Sequence, residues 1–169
     1  MKQAAAAHKG TMAAVVCRDD TRQVLSALRK LRKNGSSPAI GCINSSRQLV
    51  LSGTPEEISA VSDALQGVRI VPLQVEGAFH SPLMSDAAEE FSEALANAEF
   101  NPIRKNCAVL SNVTGVPYPD TEALRRELLL QLTHPVQWQN IVRYMSAHGA
   151  DTFVEFGARP TLTQLIRKE

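Results

Sequence analysis

Ala39-Ile40-Gly41-Cys42-Ile43-Asn44-Ser45-Ser46-Arg47-Gln48-Leu49-Val50-Leu51-Ser52-Gly53-Thr54-Pro55-Glu56-Glu57 holds two short apolar runs, a polar link between them and a helix start. Ala39 to Asn44 and Gln48 to Ser52 have the length and apolar content of strands, and Ser45-Ser46-Arg47 joins them. After Gly53, Thr54 is placed to cap a helix, Pro55 fits its first position and Glu57 its third. Ile58, Val61 and Leu65 then supply a buried helical stripe, and Arg69 to Val75 reads as a further strand. Upstream, Met12 to Cys17 is an apolar run fit for a strand. Asp19 to Lys33 carries Val24, Leu25, Leu28 and Leu31 at helical spacing, with Asp19, Asp20 or Thr21 available as cap. Asn34-Gly35-Ser36-Ser37-Pro38 ends that helix with turn chemistry.

Residues 11–75 thus run β-α-β-β-α-β, the split order of a ferredoxin-like domain, and residues 1–10 read as the end of an incoming helix. Such a fold hosts many functions and decides none. An RNA-binding version needs aromatic side chains on its strands for base stacking, and these four strands carry none. The 18 basic and 17 acidic residues leave a net charge of +1, without the clustered basic excess that phosphate binding requires. The densest basic run, Arg29-Lys30-Leu31-Arg32-Lys33, falls at a helix end, where it complements the dipole. Cys17, Cys42 and Cys107 form neither a metal pattern nor a disulfide framework, so free thiols in a reducing compartment are expected. No apolar stretch approaches the ~20 residues of a membrane span, and the start lacks a secretory or mitochondrial signature. A cytoplasmic protein is the expectation, with the mitochondrial matrix as the alternative should a targeting segment lie upstream.

Residues 76–169 are organised differently. Pro82 to Asn97, Asp120 to Leu132, Val136 to Ala147 and Thr161 to Lys168 read as helices. Cys107 to Val113 and Asp151 to Phe156 read as strands. This alternation suggests a parallel sheet, but two strands are too few for a self-sufficient one. The expectation is an α/β (α+β) chain whose second region belongs to a larger sheet and exposes apolar surface when isolated.

Gly77-Ala78-Phe79-His80-Ser81-Pro82-Leu83-Met84 places a histidine between a strand and a helix, a junction that directs side chains into clefts. His8, His134 and His148 lack such a setting. Together with Asn44-Ser45, Leu51-Ser52-Gly53, Val71-Pro72-Leu73, Ser111-Asn112-Val113, Gln131-Leu132, Pro135-Val136-Gln137-Trp138 and Glu155-Phe156-Gly157, this octapeptide resembles the malonyl-CoA:acyl carrier protein transacylases of fatty acid biosynthesis. The likeness runs through the whole chain. It implies that residues 76–169 are the C-terminal part of an α/β-hydrolase-like large acyltransferase subdomain, following the small one.

The resemblance also implies a chemistry. A serine in a Gly-His-Ser-x-Gly turn attacks the malonyl thioester, and an imidazole must take its proton because the hydroxyl is a poor nucleophile. By the motif match His80 is that general base, and the backbone carbonyl of Gln131 orients it. Phe79, before the histidine, matches a position that favours malonyl over 2-methyl-branched groups; ordinary core packing explains it equally well. Malonyl-CoA is the substrate and acyl carrier protein the partner, which itself carries the phosphopantetheine thiol. No bound cofactor, metal, nucleic acid or membrane is expected.

No serine of the chain stands in a Gly-x-Ser-x-Gly setting. The arginine that clamps the malonyl carboxylate in this family would fall upstream of Met1. By itself the chain is therefore expected not to turn over malonyl-CoA, and a separate N-terminal half would be a further partner. The alternative is a nucleophile-free module or pseudoenzyme that binds the carrier, with Arg29, Lys30, Arg32 and Lys33 as its basic cluster. Three departures accompany these absences: Glu76 before the histidine motif, Ser46 after Asn44-Ser45, and Gly157-Ala158-Arg159 in place of a Gly-Pro-Gly turn.

Overall fold

A computed structural model describes residues 9–35 and 37–167. The first region contains β1 (Thr11–Val16), α1 (Arg22–Lys33), β2 (Ala39–Ser45), β3 (Gln48–Gly53), α2 (Pro55–Ala64) and β4 (Arg69–Pro72). The sheet order is β2-β3-β1-β4, and every neighbouring pair is antiparallel. β3 therefore lies between β1 and β2, which run parallel to each other across a helical crossover.

Alternation along the strands sorts side chains onto two covered faces. Val15, Cys17, Leu49 and Leu51 meet Val24 and Leu28 of α1 and Val61 of α2. Met12, Ala14 and Val50 face the other way, against Val71, Leu73, Val75 and Phe79. Burial on both sides explains why β1 reads as an unbroken apolar run rather than an alternating one. At α2 the expected cap is present. Thr54 Oγ1 accepts from Glu57 N at 3.2 Å, and the Glu57 carboxylate accepts from Thr54 N at 2.9 Å. Basic residues Lys30, Arg32 and Lys33 occupy the last turn of α1, as its dipole favours.

Beyond β4 a short 3₁₀ turn (Pro82–Met84) leads into α3 (Ser85–Ala96). Then come α4 (Thr121–Leu130), α5 (Trp138–Ala147) and α6 (Thr161–Ile166). The helices expected here are present with shorter bounds, but the two strands are not. Cys107 to Val113 forms only an isolated bridge from Leu110 to Pro117, and Asp151 to Phe156 forms no strand. Strand propensity alone does not make a strand: the backbone needs a neighbour to complete its ladder, and no described strand lies beside either segment. Three of their apolar side chains are exposed instead, Val109 at 42%, Val154 at 71% and Phe156 at 95%.

Val136, expected inside a helix, is drawn to the sheet. Its N–H donates to Gly41 O and its carbonyl accepts from Ile43 N, both at 2.8 Å, making a parallel bridge beside Cys42. This contact ties the second region to the edge of β2. No helix among the described residues is long and apolar enough to cross a membrane. The incoming helix read in residues 1–10 lies almost wholly outside the described residues.

Candidate active site

The loop from Gly77 to Ser81 is pressed against the sheet by close backbone approach. A methyl group added at Gly10 would come within 2.6 Å of Ala78 N, and one at Gly41 within 3.3 Å of the Phe79 carbonyl. Ser52, wholly buried on β3, donates its hydroxyl to that Phe79 carbonyl at 2.6 Å. Ser81 donates to Ala78 O at 2.6 Å, and its oxygen also accepts from Leu83 N, capping the 3₁₀ turn.

Directly after these two pinned carbonyls comes His80 with φ +60, the left-handed conformation. It is the only non-glycine residue among those described with a positive φ. Such a conformation costs an L-residue on the order of 1–2 kcal/mol, and it persists where the surroundings over-determine it. It turns the imidazole away from the path of the strand before it and the helix after it. The ring is half-buried, and Nδ1 lies 2.7 Å from the backbone oxygen of Gln131.

A carbonyl oxygen can only accept, so Nδ1 carries the proton of that bond. In the neutral ring the lone pair is then left on Nε2. The geometry fixes one tautomer and frees a basic nitrogen, which is what proton abstraction from a hydroxyl or thiol requires.

Gln131 follows directly on α4, its N–H bonded to Glu127 O at 2.9 Å. Its side chain is not idle. Oε1 accepts from Asn112 Nδ2 at 2.7 Å. The loop carrying Asn112 is held by Ser111, which is fully buried and accepts from the N–H groups of Val113 and Thr114 at 3.0 and 2.9 Å. Ser111 donates to the Glu127 carboxylate of α4. Burial, with the Glu127 charge adding to it, raises the pKa of Tyr118 beside this pair, against a lowering bond from Ser111.

The three residues singled out from sequence are placed as follows. His80 and the Gln131 carbonyl meet directly. Phe79 is packed into the core, against Met84 and Ala87 on one side and the Met12, Ala14 and Val50 face on the other. Glu76 is exposed. Ser52 and Asn112 fall within the matching motifs, but nothing in the sequence around them marks a role. Their spacing from His80 along the chain, 28 and 32 residues, gave no local signal, because only tertiary contact joins them. No cluster of His, Cys, Asp and Glu that could hold a metal occurs among the described residues.

Comparison with known proteins places the chain as a whole. The polyketide biosynthesis protein ThaF of Burkholderia thailandensis is 38% identical over 167 residues, covering 96% of this chain and 14% of that protein. The crystal structure of an acyl carrier protein S-malonyltransferase from Vibrio cholerae superimposes with a TM-score of 0.86 at 31% identity, covering 99% of this chain and 54% of that one. A structure of a type II PKS acyl-carrier protein in complex with its malonyl-transacylase matches at TM-score 0.85 and 28% identity, over 95% of this chain and 52% of that one. The chain therefore spans about half the length of the solved proteins and a small part of ThaF. Residues 1–169 match the acyl transferase domain throughout, and the chain belongs to that family.

Proposed function

We propose that this chain is the histidine-bearing part of a malonyl-CoA:acyl carrier protein transacylase, with His80 as the general base. The single observation that carries the reading is the bond from His80 Nδ1 to the Gln131 carbonyl, which leaves Nε2 free to accept a proton. In the first half-reaction a serine hydroxyl attacks the malonyl thioester while Nε2 takes its proton. Collapse of the tetrahedral intermediate expels the coenzyme A thiolate, and the imidazolium returns the proton to it. In the second half-reaction the phosphopantetheine thiol of the carrier protein gives its proton to Nε2 and attacks the malonyl ester; the imidazolium then returns that proton to the departing serine oxygen, leaving malonyl on the carrier thiol. Proton transfer of this kind contributes about 10²–10⁴-fold to rate.

The serine and its oxyanion site lie on a segment that this sequence does not contain, so the chain alone does not complete the reaction. The exposed Val154 and Phe156 support that division, since they present an apolar surface suited to further strands. Solved relatives about twice as long support it as well. Phe79, beside His80 and also part of the core, is read from the resemblance as a steric filter against a 2-methyl branch, an effect of about 1–3 kcal/mol. Arg29, Lys30, Arg32 and Lys33, all exposed on α1, offer the cationic surface for an acidic carrier protein.

The test combines this chain with a serine-bearing N-terminal segment from a relative and labelled malonyl-CoA. An alkali-labile malonyl ester is expected in the mixture and not with the chain alone. Holo carrier protein is expected to discharge it. Absence of ester from a folded, associated mixture would contradict the proposal.

A further inference from the structure

We infer that Asn112 is a positioning residue for His80, acting through Gln131; this rests on the reading of His80 as a base. The left-handed backbone at His80 gives its side chain no direction from a regular strand or helix, so the partner of Nδ1 sets where Nε2 points. That partner belongs to Gln131, the residue that ends α4 while still in helical conformation.

Gln131 is tied at three points. Its N–H bonds Glu127 O, its carbonyl holds His80, and its Oε1 is held by Asn112 Nδ2 at 2.7 Å. Asn112 is anchored in turn from the opposite side. Its carbonyl accepts from Gln137 N at 2.7 Å, and Val136, the preceding residue, is bridged to Gly41 and Ile43 of β2. A continuous run of hydrogen bonds thus passes from the sheet edge through Gln137, Asn112 and Gln131 to the imidazole. The same sheet carries Ser52, which fixes the Phe79 carbonyl at the base of the loop. Both sides of His80 are referenced to one rigid element, and Asn112 closes the circuit. Its side chain can be removed without touching the Gln137 bond, which its backbone makes.

Nitrogen-resolved NMR of the His80 ring in this chain tests the role. The parent is expected to show an exchange-protected Nδ1–H. Asn112→Ala is expected to lose that protected signal, while the amide dispersion of the sheet is kept. Gln131→Ala is expected to give the same loss, and the double variant no more than either. Gln131→Glu, which still offers an acceptor to Asn112, is expected to retain the signal. If Asn112→Ala loses the amide dispersion of the sheet, Gln131→Ala decides, since it breaks the same bond from the acceptor's side. A protected His80 signal surviving in the folded alanine variant, or its loss in Gln131→Glu, would overturn the role. The measurement does not depend on malonyl transfer, so failure here is distinguishable from failure of the acyl-transfer reading.

Discussion

Residues 11–72 and residues 73–167 were built by the same kinds of local signal, yet they end in different states. In the first region every strand finds a neighbour, and both faces of the sheet are covered, one by α1 and α2, the other by the chain leading to His80. In the second, two β-prone stretches form no strand, one keeping only the isolated bridge from Leu110 to Pro117, and helices pack by small contacts such as Arg125 of α4, which donates to the carbonyls of Leu95 and Ala98 and lies 4.7 Å from the Phe100 ring centre. The difference teaches that secondary structure here is limited by the supply of partners, not by propensity. The site falls on the seam. His80 is presented by a loop docked on the complete sheet, while the carbonyl and amide that hold it come from the incomplete region.

The largest expected effect tests which region carries stability. Leu51 is 0% exposed between the sheet and its helices, so Leu51→Ala should cost about 2–5 kcal/mol in urea unfolding. Phe156→Ser should lie within about 0.5 kcal/mol and improve solubility. Equal costs would erase the contrast between the regions.

Next is a pH effect at the seam. Burial pushes the Cys42 thiol up to about 11, from 9.0. Between those values the folded protein keeps a proton that the unfolded chain has released, so stability is present below pH 9 and falls as pH rises towards 11. The loss should reach about 2–3 kcal/mol. Urea midpoints measured across this range should decline, and Cys42→Ala should flatten the decline.

A smaller effect, about 1–3 kcal/mol, is expected for Gly115→Ala. Gly115 has φ +79, and an added methyl would approach Asn140 Cβ to 2.7 Å. Because Gly115 N–H bonds Ser111 O, the change should also disturb the loop of Asn112, visible as weaker protection of the His80 ring proton. Smallest is Thr54→Ala, which removes the α2 cap and should cost about 1 kcal/mol in the same denaturant assay, without altering the His80 signals.

Much of this was legible in the sequence, for physical reasons that differ by residue. The Thr54-Pro55-Glu56-Glu57 start of α2 was readable because a capping box is local, complete within four residues. The β-α-β-β-α-β element order was readable from apolar runs and the short Ser45-Ser46-Arg47 link, whereas the sheet order β2-β3-β1-β4 needed strands distant in sequence to pair. The Cys107–Val113 and Asp151–Phe156 stretches misled because their composition records a strand that needs neighbours not present among the described residues. Val136 misled in the opposite sense: its place before α5 suggested helix, but the β2 edge offered its backbone two bonds. The resemblance at His80 and at Gln131 suggested that this imidazole and this carbonyl meet, and they lie 2.7 Å apart. It could not show the positive φ, the Ser52 anchor or the Asn112 tether, since these arise only when distant segments meet.

The proposed role of His80 is most directly tested by the rate of serine acylation in the chain combined with a serine-bearing N-terminal segment. Replacing His80 with alanine is expected to lower that rate about 10²–10⁴-fold, while His134→Ala and His148→Ala leave it within about twofold. An acylation rate unchanged in His80→Ala, with the protein folded, would contradict the account.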